Sequence, residues 1–410
     1  MFCITFLRDC ITMNIKDNHD CYGCGVCAAA CPKQIISIKL NQDGFYEPYI
    51  IDEAQCVNCS ICFDVCSYNY DETSEKAKVI QAFAGWSNNP EIRGKCSSGG
   101  VAYELAVNAI KQGFAFCGVL YSTERNRAEH YITDSIDKLA QSIGSKYIQS
   151  YTVEAFKDFS KSGKYLVVGT PCQIDSLRRL IKKKKIEDNY ILVDIYCHGV
   201  TSMNVWTKYT ERIEREVGKI ETASWRNKYE FTNANHDANE IIPVDWHDSY
   251  NIIIKGEKGI YQKRASKGDV FFQYFLKEDC LGKSCYAKCK YRYDKSSADI
   301  RIGDCWGDYF QSENRGVNSI VVFSQKGRNF LLNCNCTFQE LPFRIVAQGQ
   351  MKEPSSTKLR RNKIFRLLAN PDLSIENVTD SLQKTRRREY IAHQLITHPL
   401  KTIFGIIKKH

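Results

Sequence analysis

The sequence predicts an α+β / α/β protein: a small cysteine-rich front module, then an α/β body, then a helical basic tail. Three observations carry this. Two tight quartets of cysteines lie between residues 21 and 66. Beyond residue 75, apolar strand-like runs alternate with helix-like runs and end in Gly, Pro or Cys turns. From residue 336 the chain becomes basic and helix-like. At 410 residues there is room for two or three domains of roughly 100–200 residues each. The divisions read as a tail over 1–15, the front module over 16–75, a body in two regions over 76–160 and 161–335, and the helical tail over 336–410.

Composition is that of a globular protein, 43% hydrophobic and 25% charged, with 20 cysteines as the exception. Clustered cysteines in a long chain without a secretory signal argue for metal in a reducing cytoplasm and against disulfides. The opening MFCITFLRDCITM carries Asp9 and no small-residue cleavage site. Met13 opens a second start, so residues 1–12 read as an extension. No run of about 18 apolar residues predicts a transmembrane helix. The net charge of +10, 57 basic against 47 acidic residues, permits anionic partners without requiring them. No zinc finger, RNP motif or basic–aromatic groove accompanies it, so nucleic acid is not an expected partner. The run Lys182–Lys185 reads as a solvated helix end, where lysines suit the dipole.

In the front module the pattern C-x2-C-x2-C-x3-C-P falls on Cys21, Cys24, Cys27, Cys31 and Pro32. It recurs at Cys56, Cys59, Cys62 and Cys66, with Ser67 in place of proline. This is the bacterial two-cluster ferredoxin spacing, in which the fourth cysteine of each run serves the other cluster. Two [4Fe–4S] clusters are expected, one on Cys21, Cys24, Cys27 and Cys66, the other on Cys31, Cys56, Cys59 and Cys62. Structural zinc is the alternative, but it favours separated pairs and often histidine, and no histidine lies between these cysteines. Gly23 and Gly25 permit unusual dihedrals and close approach of amides to sulfur. IISIKLNQDGFYEPYII between the halves reads as a hairpin.

In the body, KVIQAFAGW (78–86) reads as a strand. The stretch CSSGG (96–100) precedes the helical VAYELAVNAIKQ. Ser97 or Ser98 suits an N-cap, and Gly99 and Gly100 bare amides at a helix start that suits a phosphate. FAFCGVLY (114–121) is another strand. KYLVVGTPCQ (164–173) is a strand with a Gly169-Thr170-Pro171-Cys172 turn, followed by a helix. NYILVDIYCHG (189–199) is a strand ending at Cys197-His198-Gly199. A right-handed crossover puts both turns at the carboxyl edge of one sheet, where α/β proteins bind ligands. Cys172 and Cys197 are therefore expected neighbours. With Cys285 and Cys289 they number four, enough for a third [4Fe–4S] cluster, unless Cys172 and Cys197 are inert buried thiols.

In order, GTPCQI, YCHGVTS, SCYAKCKY and SADIRIGDCWG resemble blocks of the coenzyme F420 hydrogenase/dehydrogenase beta-subunit family. SIGSKYIQS (142–150), SSGG and SWRNKYE (224–230) resemble further blocks, and the likeness covers roughly residues 80–335. It implies an iron–sulfur flavoprotein. Cys172, Cys197, Cys285 and Cys289 would hold the body cluster. Ser97, Ser98, Gly99, Gly100, Gly169, Thr170, Pro171 and Lys146 would contact FAD. The chain departs from the family pattern in three places. The cysteine pair is C-x3-C, not C-x2-C, which makes Cys280 an alternative ligand. Cys96 stands where serine is common, and Cys305 where the family has Phe or Tyr.

The implied function is electron transfer from a donor or redox partner protein, through the clusters and FAD, to F420 or another small-molecule two-electron acceptor. The alternatives are an electron-transfer subunit without its own substrate site, and a scaffold with structural clusters. Lys146, Arg226 and Lys228 are candidate cations for a reduced flavin or an acidic substrate; Arg226 and Lys228 also read as ordinary surface charges. His198 is a candidate proton donor or, preferably, a hydrogen-bond partner of a cluster sulfur. The segment from Ser381 reads as helices broken at His398-Pro399 that dock on the body or a partner, with peripheral contact to an anionic membrane as the alternative.

Overall fold

The structure, a computed structural model, describes residues 14–232, 240–357 and 360–397. The extension over 1–12 and the break at His398-Pro399 lie outside the described residues. In the front module, strands β1 (Ile36–Leu40) and β2 (Tyr46–Ile50) form an antiparallel hairpin, with Gly44 at φ +78 in its turn. The body contributes β3 (Gln81–Ser87), β4 (Ala115–Ser122), β5 (Arg127–Thr133), β6 (Ser150–Tyr151), β7 (Tyr165–Gly169) and β8 (Tyr190–Ile195). Then follow β9 (Ile220–Ser224), β10 (Tyr229–Phe231), β11 (Ile241–Pro243), β12 (Asn251–Gly256) and β13 (Gly259–Arg264). The last strands are β14 (Ile300–Asp304), β15 (Asn318–Val322) and β16 (Cys336–Glu340). Among the described residues, nine strands make one mixed sheet in the order β16-β3-β15-β14-β8-β7-β4-β5-β6. Both body regions contribute to it, and β16, placed by sequence in the tail, pairs antiparallel with β3.

The centre of the sheet is parallel. β4 pairs with β7, β7 with β8, and β8 with β14 in this sense. Its strands are apolar along their length because both faces are covered. Leu166, Ile191 and Val193 pack with Leu105 and Ala109 of the helix Val101–Lys111. On the other face, Val167 and Leu192 pack with Ile174, Leu177 and Ile181 of the helix Pro171–Lys184. Alternation by two along each strand sends neighbouring side chains to opposite layers. Arg301 on β14 faces Asp194 on β8 and donates Nε to Oδ1 at 2.7 Å and a second nitrogen to Oδ2 at 2.6 Å. Both side chains are fully buried. The same guanidinium donates to the carbonyls of Tyr291, Tyr293 and Lys295, so the pair also fixes the chain after Cys289.

The lysine run after residue 181 is more than a solvated helix end. Lys183 pairs with Asp64 at 2.7 Å, and Lys182 with Glu75, tying the front module to the body. The C-terminal helices Arg361–Leu368 and Ile375–Thr397 dock rather than project. Ile364, Phe365, Ile375, Val378 and Leu382 join the core around Trp206 and Phe271. Arg360 and Arg386 converge on the buried Asp279.

Asp279→Asn removes the buried carboxylate that Arg360 and Arg386 share, leaving Arg360 only its partly exposed partner Glu389. Breaking a largely buried ionic group of this kind costs about 3–5 kcal/mol. The expected result is a lower midpoint in chemical denaturation at unchanged slope. An unchanged midpoint would mean that the contact adds nothing to stability.

Candidate functional site

Two small cavities occupy the front module. One is lined by Cys21, Cys24, Cys27 and Cys66, the other by Cys31, Cys56, Cys59 and Cys62. The last cysteine of each run thus sits with the first three of the other. Gly23 and Gly25 have φ of +62 and +73, and a Cβ on Gly25 would stand 2.3 Å from Thr152 Oγ1. The Gly23 amide and the Asn18 amide donate to Cys21 Sγ and Cys66 Sγ, each at 3.3 Å. Burial pushes the thiols of Cys21 and Cys27 well up and that of Cys66 to about 12, with neighbouring thiols adding to it. Such thiols become thiolates at neutral pH only beside compensating positive charge. Neither cavity lining includes a carboxylate or imidazole. The donor sets are all sulfur and fit iron–sulfur clusters.

The front module meets the body at the start of the helix Pro171–Lys184. Cys24 Sγ donates to Ser176 Oγ at 3.3 Å, Ser176 Oγ to Ser67 Oγ at 2.7 Å, and Ser67 Oγ to the Cys172 carbonyl at 3.4 Å. Thr170 and Gln173 form a capping box at this helix start. The pairing of β7 with β8 places Cys172 and Cys197 at one sheet edge. Isolated bridges from Thr201 to Ile148 and Leu281 bring in the chain bearing Cys285. Cys172, Cys197, Cys285 and Cys289 lie close enough to repel one another as thiolates. Burial is the larger effect, and it raises Cys172 well above its usual range and Cys285 to about 12. The Arg292 guanidinium opposes this at Cys197 and Cys285. Cys280 stands apart in the apolar core, with Arg361, Arg360 and Asp43 as its charged neighbours.

Beside this thiol set, at the carboxyl edge of the parallel strands, lies a cavity of about 470 Å³, within the ~300–1,000 Å³ typical of ligand pockets. Ser97, Ser98, Gly100, Gly169, Thr170 and Cys197 line it on the sheet side. Tyr250 and Trp306 give it a flat aromatic wall, backed by Trp246 stacked on Trp306 at 5.0 Å and 6°. Glycine-backed turns and a planar wall suit a flavin with its phosphates.

Several expected residues take other parts. The N-cap of the helix Val101–Lys111 is Gly100, at φ +88, not Ser97 or Ser98; Ser98 Oγ donates to the Val317 carbonyl instead. A Cβ on Gly99 would stand 2.5 Å from the Gly85 carbonyl, so Gly99 packs on the sheet, and neither it nor Pro171 lines the cavity. Arg226 and Lys228 are not surface charges. Arg226 is 2% exposed and spans Asp304 at 2.9 Å, Tyr147 and Ser249, behind Tyr250. Lys228 donates to the carbonyls of Arg93, Ser98 and Arg315, and burial lowers it to about 8. Lys146 lines the cavity, but its ammonium is held by the carbonyls of Gln141, Ser142 and Ile143. The His198 imidazole lies 3.3 Å from Glu278 and packs on Phe275. Sequence reasoning gave Trp306, in the turn after ADIRIGD, no role and passed over Tyr250 and Arg292. The last stands three residues after Cys289, the only signal it offers.

Residues 82–157 match the coenzyme F420 hydrogenase/dehydrogenase beta subunit N-terminal model and residues 162–337 its C-terminal counterpart, together more than half the chain. Residues 20–70 match the 4Fe-4S dicluster domain. The chain belongs to the coenzyme F420 hydrogenase/dehydrogenase beta-subunit family and carries a dicluster iron–sulfur domain in front of the family region. It is similar to the coenzyme F420-dependent sulfite reductase of Methanocaldococcus jannaschii, 26% identical over 40% of this chain and 26% of that protein. An uncharacterized protein of the same organism is 24% identical over 41% of this chain and 54% of its own length. The chain thus spans about a quarter and about half of these two relatives. A chain of the F420-reducing [NiFe] hydrogenase complex from Methanosarcina barkeri matches with a TM-score of 0.44 and 15% identity, over 76% of this chain and 94% of that one. No helix among the described residues is long and apolar enough to cross a membrane.

Lys146 offers a pH test. Burial pushes it from 10.5 to about 7. Between those values the unfolded chain binds the extra proton, so this residue makes stability rise with pH across that window. Lys146→Met removes the effect. The denaturation midpoint of the parent, relative to the variant, should rise from pH 7 to about 10; a constant difference would show that the amine titrates normally.

Proposed function

We propose that this protein is an iron–sulfur flavoprotein oxidoreductase that passes electrons from a protein donor to a small two-electron acceptor such as coenzyme F420. The observation that carries the reading is adjacency: the third thiol set lies between the front module and an aromatic-walled cavity at the sheet edge. Bound there, [4Fe–4S] clusters would supply single-electron transfer and FAD the exchange of two electrons with an acceptor.

In this reading Cys21, Cys24, Cys27 and Cys66 hold the inner cluster of the front module, and Cys31, Cys56, Cys59 and Cys62 the outer one. Cys59 is exposed, which suits entry of electrons from a partner. Cys172, Cys197, Cys285 and Cys289 hold the third. The serine chain from Cys24 to the Cys172 carbonyl fixes the inner site against the third. Ser97, Ser98 and Gly100, at the start of an eleven-residue helix, orient phosphate. Tyr250 and Trp306 hold a planar ring, and Arg226 keeps that wall in place through Asp304 and Tyr147.

A second reading, an electron-transfer subunit without its own acceptor site, draws on one observation. Lys146, the candidate cation for a reduced flavin, and His198, the candidate proton donor, are engaged by backbone carbonyls and by Glu278.

Anaerobic purification with cluster reconstitution tests both. The expected product shows flavin bands over cluster absorption, and Cys172→Ser loses about a third of the iron. Clusters without flavin favour the second reading. Absence of both chromophores rejects the redox function.

A further inference from the structure

We propose that Arg292 is the fixed counter-ion of the third thiol set, a buried cation whose charge raises the reduction potential of the cluster held there. This deepens the reading above and rests on it.

Six arginines among the described residues are buried. Five have a carboxylate within ion-pair distance: Arg93 with Glu313, Arg178 with Asp299, Arg226 with Asp304, Arg301 with Asp194 and Arg361 with Asp43. Arg292, 6% exposed, has none among the described residues. Its donors go to main-chain carbonyls within the segments that bear the thiols: Cys197, His198 at 3.3 Å and Cys285 at 3.4 Å. Its Nε has no hydrogen-bond partner among the described residues. The side chain also lines the sheet-edge cavity, with Met351 Sδ at 3.5 Å.

A buried guanidinium without an anion is costly, because carbonyl dipoles replace only part of its hydration. The anion this position lacks is the one that four thiolates around an iron–sulfur core supply. Cysteine thiolates give such a core a net negative charge, which grows by one on reduction. A cation held at fixed distance favours the more negative form, and low local polarity strengthens the effect. The step concerned is transfer of one electron: the inner site of the front module is oxidised and the third site is reduced. No bond forms or breaks. Arg292 supplies the compensating charge without a proton. By bonding carbonyls from the end of β8 and from the chain at Cys285, it also couples that charge to the two segments that bring the sulfurs together.

The test compares Arg292→Gln, which keeps amide donors and loses the charge, with Arg292→Lys, which keeps the charge. Both are made in the full chain, purified anaerobically and reconstituted. Iron content and EPR-monitored redox titration are the readouts, neither of which depends on turnover. Arg292→Gln should keep the parent's iron, with one cluster shifted to more negative potential and the two front clusters unmoved. Arg292→Lys should stay near the parent. If the Gln variant sheds the third cluster, retention of its iron by the Lys variant supports a requirement for charge, and loss in both rejects it. Parent-like potentials in Arg292→Gln also overturn the proposal, leaving Arg292 a main-chain clamp. A parent chain holding only the iron of two clusters, unchanged by Cys172→Ser, removes the underlying reading instead.

Discussion

The parallel pairing of β7 with β8 is the constraint on which the rest of the molecule depends. Register sets Gly169 opposite Asp194. The chain leaving β7 therefore turns into a helix at the same edge where β8 releases Tyr196, Cys197 and His198. Had the strands run antiparallel, Cys172 and Cys197 would lie at opposite ends of the sheet. The buried Arg301–Asp194 pair locks β14 to the same edge and reaches the carbonyls after Cys289. One ionic contact thus ties two neighbouring strands of the sheet to the path of the loop after Cys289. Replacing such a pair by apolar residues is often tolerated, whereas removing one partner strands a charge. Here loss of Arg301 would strand Asp194 and also free the carbonyls of Tyr291, Tyr293 and Lys295.

The front module is not a bead on a string. Its inner cavity faces the body through hydrogen bonds from small side chains: Thr152 to the Cys24 carbonyl, Gln149 to the Tyr22 carbonyl, Ser284 to the Cys21 carbonyl. Gly23 and Gly25 allow this closeness, since a methyl group on either would collide with Gln149 or Thr152. The glycines of the cysteine run therefore serve two ends: backbone geometry around sulfur, and room for the docking surface. Only the second depends on the body.

Much of this was legible in the sequence. The doubled cysteine spacing spelled out the front module. The alternating apolar runs gave the parallel core, because strands buried on both faces must be apolar throughout. The turns at Gly169–Cys172 and Cys197–Gly199 announced a shared edge. The roles of the cations were not legible. Arg226 and Lys228 look like any charged pair in SWRNKYE, and only folding reveals that Asp304, from a distant strand, and three carbonyls lie waiting for them. Helix capping failed for a similar reason: Ser98 had a better partner in Val317, across the sheet, than at its own helix start. Local pattern reports local competition, and these residues answer to long-range partners.

The arrangement around Asp279 has a consequence for biosynthesis. Its counter-charges come from residues 360 and 386, which are synthesised after all the cysteines of the front module, complete by residue 66. On the ribosome, the front module is complete while the chain that carries Cys285 still has an uncompensated carboxylate beside it. The segment that carries Cys285 therefore gains its full set of ionic contacts only after the helix Ile375–Thr397 has been made.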